Sequence, residues 1–90
     1  MAIAPKVDPK LKALGLTPRM LDVLALLFQG HSNKAIAKQL GISPHTVTDY
    51  VSTILERLEV SSRSQVPLRV QPLQRSLLDW DHARRQGPAL

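Results

Sequence analysis

The chain has 90 residues, of which 43% are hydrophobic, 21% are charged and 3% are aromatic. These proportions exclude disorder of the whole chain, and the lack of cysteine excludes disulfide bonds and thiolate metal sites. Twelve Lys and Arg against seven Asp and Glu give a net charge of +5, which suits a polyanionic partner such as nucleic acid. The length and the mainly aliphatic apolar content predict one all-α domain. The helix signals described below predict a compact three- to four-helix bundle that contains a helix-turn-helix and has an extra C-terminal helix.

The hydropathy pattern gives no sign of a membrane protein. The longest apolar run, 23–28, is far shorter than the roughly 20 residues of a membrane span, and the N-terminus lacks the apolar stretch of a signal peptide. We therefore expect a cytoplasmic protein with no membrane partner.

The N-terminal residues 1–15 contain two prolines and three lysines and predict a basic, partly ordered arm. The organised region begins at Leu16, where Thr17 is a good N-cap and Pro18 fits the first helical position. These signals predict a helix over 18–29 with a broad apolar face, ended by Gly30.

The next two segments predict a pair of helices joined by a tight turn. Ser32 can cap a short helix that ends at Leu40, and Gly41 tolerates the positive φ that a sharp turn requires. Ser43 and Pro44 then begin a helix to about Leu58. Its apolar stripe faces the core, and small polar side chains lie on the opposite side.

Beyond Val60 the pattern becomes less regular. Residues 61–66 can open a further helix, but Pro67 removes a backbone donor, and we expect a break there. A last helix is predicted over 72–86, with Trp80 anchoring it to the core. A partner-binding role for Trp80 is the alternative reading.

A helix presented by a short glycine turn fits the major groove, and Ser, Thr and Asn can reach base edges where bulkier residues cannot. The residues LTPRMLDVLALLFQGHSNKAIAKQLGISPHTVTDYVSTILERLEVSSRS closely resemble the LuxR-type (GerE-like) helix-turn-helix DNA-binding domain of bacterial transcription regulators. The resemblance implies that residues 16–66 form this domain, that the 44–58 helix reads the groove and that 32–40 supports it. Residues 67–90 are then a C-terminal extension.

This sequence departs from the family pattern on the reading helix. Thr48 stands where the family usually has Lys, Tyr50 replaces its usual His, and Met20 replaces the Glu that completes a capping box with Thr17. Asp49 and Ser52 occupy positions that the resemblance assigns to base contacts. The reading face therefore has no Lys or Arg, although a carboxylate can accept a hydrogen bond from a cytosine amino group.

The resemblance and the wheel of the 44–58 helix together give candidate site residues. The predicted base contacts are Thr48, Asp49, Ser52 and His45, and the predicted phosphate contacts are Lys34, Lys38, Thr46, Arg57 and Arg63. For the lysines the alternative is a solvated helix face, and for Arg57 and Arg63 it is local pairing with Glu56 or Glu59. The predicted partner is double-stranded DNA, and RNA polymerase or another regulator is a further candidate.

The resemblance also implies self-association through the segment after Val60, with Ser62, Gln65 and Val66 as candidate contacts. Because we expect Pro67 to interrupt this segment, we predict a weak dimer or a monomer. The family normally carries a receiver or sensing domain upstream, so a stand-alone effector and the C-terminal domain of a longer regulator both stay open.

Two other function classes are alternatives to DNA binding. A protein-interaction module that keeps the fold and has lost DNA affinity would explain the cation-free reading face. An enzyme is disfavoured, because no nucleophile, base and orienting partner can be assembled and no phosphate-cradling glycine loop is present. His31, His45 and His82 lack the spacing of metal ligands, so we expect no metal and no cofactor.

Overall fold

The computed structural model describes residues 8–86, which form α-helices, two short 3-10 turns and no strand. The all-α prediction is confirmed. The helices are α1 (Pro9–Lys12), α2 (Pro18–Phe28), α3 (Asn33–Leu40), α4 (Pro44–Leu58), α5 (Val66–Val70) and α6 (Gln74–Gln86). None of these helices has the length and apolar character needed to cross a membrane. The predicted arm and extension continue into residues 1–7 and 87–90, which lie outside the described residues.

The predicted helix starts are confirmed by their caps. The hydroxyl oxygens of Thr17, Ser32 and Ser43 accept hydrogen bonds from the backbone N–H three residues further on, at 3.2, 3.1 and 3.0 Å. Each bond satisfies a backbone donor that the first helical turn leaves unpaired. The starts of α2, α3 and α4 are therefore encoded locally.

The core is built around α2, whose residues 21–27 are all buried. α3, α4, α5 and α6 all pack against this helix. Leu11 from α1 and Leu77 and Trp80 from α6 are buried in the same cluster, at 4% exposure or less. The prediction that Trp80 anchors the last helix is confirmed, and the flanks of the chain contribute to one common core.

The predicted break at Pro67 is wrong. A 3-10 turn over Arg63–Gln65 leads directly into α5, and Pro67 is the second residue of that helix. Backbone N–H groups in a first helical turn have no intrahelical partner, so a proline there removes no hydrogen bond. Val66 and Val70 are fully buried on the inner side of α5, and Leu68 is 77% exposed on the outer side.

A buried carboxylate joins α6 to α2. Asp22 on α2 is 4% exposed and accepts hydrogen bonds from Trp80 Nε1 at 2.9 Å and from Arg84 Nε and Nη2, both at 2.8 Å. The Arg84 guanidinium also lies 5.3 Å from the centre of the Trp80 ring. The hydrogen bond to Asp22 raises the pKa of Arg84 above its ordinary value.

Arg19 extends this network to α3. Its Nη1 lies 3.4 Å from Asp22 Oδ2, and its Nη2 donates to the carbonyl oxygen of Leu40 at 2.6 Å. Leu40 is the last residue of α3. The buried charge of Asp22 is thus fully hydrogen-bonded, and the same contacts fix the C-terminal end of α3 relative to α2.

Candidate nucleic-acid interface

The turn between α3 and α4 sets the angle at which α4 leaves the bundle. Gly41 has φ +69° and ψ 33°, the left-handed conformation that glycine adopts without steric cost. Ile42 N–H donates to the carbonyl oxygen of Ala37 at 3.1 Å and closes the end of α3. The chain then enters the Ser43 cap and Pro44 at the first position of α4.

α4 has two chemically distinct sides. Val47, Val51, Ile54 and Leu58 are buried against the core. The four predicted base-contacting residues, His45, Thr48, Asp49 and Ser52, are all exposed. The structure thus brings these four side chains together on the outer side of one helix.

Two of these exposed side chains form a pair one turn apart. His45 Nε2 lies 3.7 Å from Asp49 Oδ2, with side-chain exposures of 88% and 70%. A contact between side chains this exposed contributes little to stability, because water competes for both groups. The pair therefore leaves both groups accessible to a ligand.

Thr48 is held by contacts on either side. Its hydroxyl donates to the carbonyl oxygen of Pro44 at 3.1 Å and lies 3.4 Å from Nδ2 of Asn33, the first residue of α3. Asn33 Oδ1 in turn accepts from Nη1 of Arg63. Hydrogen bonds between side chains thus link the start of the 3-10 turn, through the N-terminus of α3, to the exposed side of α4.

The predicted phosphate contacts have different surroundings. Lys34 and Lys38 are exposed on α3. Thr46 is half-buried with its Oγ1 2.9 Å from Ser43 Oγ, and Arg57 is exposed with its Nη1 3.4 Å from the carbonyl oxygen of Gly15. Arg63 is half-buried and donates to Asn33 Oδ1 and to the carbonyl oxygen of His31. The structure thus gives Arg63 partners within the protein that do not include Glu56 or Glu59.

The candidate self-association residues need one correction. Val66 is fully buried in the core, so its side chain cannot contact a second copy. Gln65 Oε1 accepts from the backbone N–H groups of Ser61 and Ser62 and closes the loop after α4. The large hydrophobic side chain that α5 does present to solvent is Leu68.

Sequence reasoning did not identify Asn33 and Asp22 as important polar groups. In the sequence, Asn33 falls within the stretch that carries the family resemblance, and Asp22 lies in the predicted helix over 18–29 without an assigned role. A lone carboxylate among seven consecutive core positions is the signal that could have revealed Asp22, because a buried charge requires partners. The described residues contain no group of three or more His, Asp or Glu side chains that could hold a metal.

The capped helix pair, the left-handed glycine between its members and the polar outer side of α4 define a helix-turn-helix domain. Residues 14–69, more than half of the chain, match the family model described as "Bacterial regulatory proteins, luxR family". The chain belongs to this family, which confirms the resemblance seen in the sequence. α1 and α6 lie entirely outside the matched region.

Curated relatives are bacterial regulators. The uncharacterized transcriptional regulatory protein YhcZ of Bacillus subtilis (strain 168) is 48% identical over 62 residues, which cover 68% of this chain and 29% of that protein. The transcriptional regulatory protein DesR of the same organism is 44% identical over 54 residues, 60% of this chain and 27% of its own length. The chain therefore spans less than a third of these relatives. No solved structure matches the chain significantly.

Proposed function

We propose that this chain is the DNA-binding domain of a transcription regulator and that it inserts α4 into the major groove of double-stranded DNA. The observation that carries the proposal is the two-sided character of α4, buried on one side and covered by small polar side chains on the other. The major groove admits one α-helix, and short side chains let the helix approach the base edges. Family membership supports the same function.

The proposal assigns separate tasks to the polar residues. His45, Thr48, Asp49 and Ser52 face the bases, and Lys34, Lys38, Thr46 and Arg57 contact phosphates. Phosphate contacts set affinity and register without reading sequence, whereas base contacts carry sequence information. Arg63 serves as a positioning group here, because its guanidinium is bound to Asn33 and to the His31 carbonyl.

A titration of labelled random-sequence duplex at two salt concentrations tests the proposal. We expect binding that weakens steeply with salt, since every phosphate contact releases counterions. Lys34→Ala should weaken binding on every sequence and reduce the salt slope by about one. The matched control is Arg75→Ala, which removes one positive charge from the outer side of α6, where Arg75 is 92% exposed.

Amide chemical shifts on adding DNA locate the surface independently. We expect perturbations to cluster on the first two turns of α4 and near Lys34. Perturbations confined to α6 would contradict the assignment of α4. Binding that does not depend on salt, or no binding to DNA, would instead favour the protein-interaction module. No contact in the described residues specifically supports that alternative.

A further inference from the structure

The hydrogen-bond chain that ends at Thr48 determines what its hydroxyl can offer to DNA. Arg63 carries only donors, so the oxygen of the Asn33 amide faces Arg63 and the Nδ2 group faces Thr48. Nδ2 is also only a donor, so Thr48 Oγ1 accepts from it. The Thr48 proton is then directed to the carbonyl oxygen of Pro44, 3.1 Å away.

A hydroxyl group has one proton and two lone pairs. In Thr48 the proton is donated to Pro44 and one lone pair is occupied by Asn33, which leaves one lone pair of this exposed side chain without a partner among the described residues. Asp49 follows it on the same exposed surface, with a carboxylate that offers only acceptors. Two successive residues of α4 therefore present acceptors and no donor.

The major groove contains few groups that can donate to such a surface. Adenine N6 and cytosine N4 carry amino groups there, whereas guanine and thymine present acceptors. The commonest specific contact with guanine uses Arg or Lys, and neither residue type occurs among His45, Thr48, Asp49 and Ser52. His45 is the group on this surface that can supply a ring N–H, and its Nε2 faces Asp49.

We propose that α4 reads DNA as an acceptor surface, in which Thr48 Oγ1 and the Asp49 carboxylate each accept a hydrogen bond from an adenine or cytosine amino group. Arg63 and Asn33 are the positioning residues that hold Thr48 in this state. The inference rests on the proposed function, and it adds the class of base that the helix selects.

Selection of binding sites from a randomised duplex library tests the inference. The wild type should require adenine or cytosine at adjacent positions of the site. Thr48→Val keeps the shape of the side chain without its hydroxyl and should lose the preference at one of these positions only. Asn33→Ala frees the Thr48 hydroxyl to rotate and donate, so the same position should also admit thymine or guanine. Thr53→Val, which removes a hydroxyl that donates within α4 to the carbonyl oxygen of Asp49, is the matched control and should leave that position unchanged.

Amino-deleted bases give a second readout on the selected site. Replacing the contacted adenine by purine, or the contacted cytosine by 2-pyrimidinone, should lower wild-type affinity about five- to tenfold, the loss expected for one hydrogen bond. The same replacement should not affect Thr48→Val. If Asn33→Ala does not fold, Thr48→Val and the modified bases still decide the question.

The possible failures are distinguishable. A wild-type requirement for guanine or thymine at this position, or an unchanged preference in Thr48→Val, would overturn the acceptor surface while DNA binding stands. Absence of salt-dependent binding to random duplex would overturn the proposed function, and the inference with it.

Discussion

At the scale of single residues, the exposed surface at the start of α4 carries a negative charge. The exposed residues of its first two turns include Asp49 and no Lys or Arg, so attraction to phosphates falls to residues outside this surface. In the proposed complex, a negative charge here would lower nonspecific affinity and, through accepted hydrogen bonds, would contribute discrimination between bases.

Reversing this charge separates the two effects. Asp49→Lys should raise affinity for random duplex and steepen its salt dependence by about one phosphate contact, because a lysine at the groove edge reaches the backbone. The matched control is Asp79→Lys on α6, whose carboxylate is 72% exposed, close to the 70% of Asp49. Equal changes in the two variants, measured by fluorescence anisotropy, would show that only net charge matters and that Asp49 lies away from DNA.

At the scale of the helical elements, α3 and α4 end in the same backbone conformation, but with different residue types at the C-cap. Both capping residues adopt the left-handed conformation, Gly41 with φ 69° and Glu59 with φ 57°. Glycine adopts it freely, whereas a residue with a Cβ is strained there by about 1 kcal/mol. The end of α4 therefore carries a small local strain.

This difference predicts opposite effects of two substitutions on stability. Glu59→Gly should raise the free energy of unfolding by up to about 1 kcal/mol, and Gly41→Ala should lower it by about the same amount. Nothing lies within 4 Å of a Cβ added at Gly41, so the second effect reports backbone strain rather than a clash. Urea denaturation measures both values, and a stabilised Gly41→Ala variant would show that the turn has another accessible conformation.

At the scale of the whole molecule, α6, which lies beyond the family match, joins the helix-turn-helix through Asp22 as well as through buried apolar side chains. Removing its carboxylate leaves Trp80 Nε1 and Arg84 without their partner in and near the core. Asp22→Ala should therefore lower the free energy of unfolding by about 2 to 4 kcal/mol, the partial exposure of Arg84 keeping the loss moderate.

The control for Asp22 is an exposed pair on α6. Arg75 and Asp79 lie 3.6 Å apart with both side chains largely in solvent, so Arg75→Ala should cost a few tenths of a kcal/mol. Thermal and urea unfolding measure both variants. Similar losses would mean that the Asp22 network does not hold α6 onto α2.

Self-association is also a property of the whole molecule, and we predict a weak dimer or a monomer at micromolar concentration. Since α5 continues through Pro67, the sequence-based reason for weak association no longer holds. The reason is now the small apolar surface: Leu68 and Leu78 are the exposed large hydrophobic residues in the described range, and stable interfaces bury about 800 Å² per partner. Leu68→Ser should be monomeric in sedimentation, with Leu78→Ser as control, and a dimer that survives dilution would contradict this prediction.

The sequence by itself determined α2, α3 and α4, their N-caps and the polar surface of α4. Helical periodicity, an N-cap hydroxyl and a turn glycine are local signals, because each acts within a few residues of its own position. For this reason the bounds of α2, α3 and α4 agree with the predictions to within about one residue. The same local pattern carries the family resemblance that the comparisons confirm.

Only the tertiary structure decided which polar side chains meet and how the segment after α4 folds. Asp22 and Arg84 are 62 residues apart in sequence, and Arg63 and Asn33 are 30 apart, so no local pattern pairs them. Pro67 breaks a helix if it lies in the interior and is compatible with a helix if it lies in the first turn. The sequence does not show where α5 begins, and we therefore expected a break. That start is set by burial of Val66 against the core. Contacts between distant segments depend on how the helices pack, which only the folded chain determines.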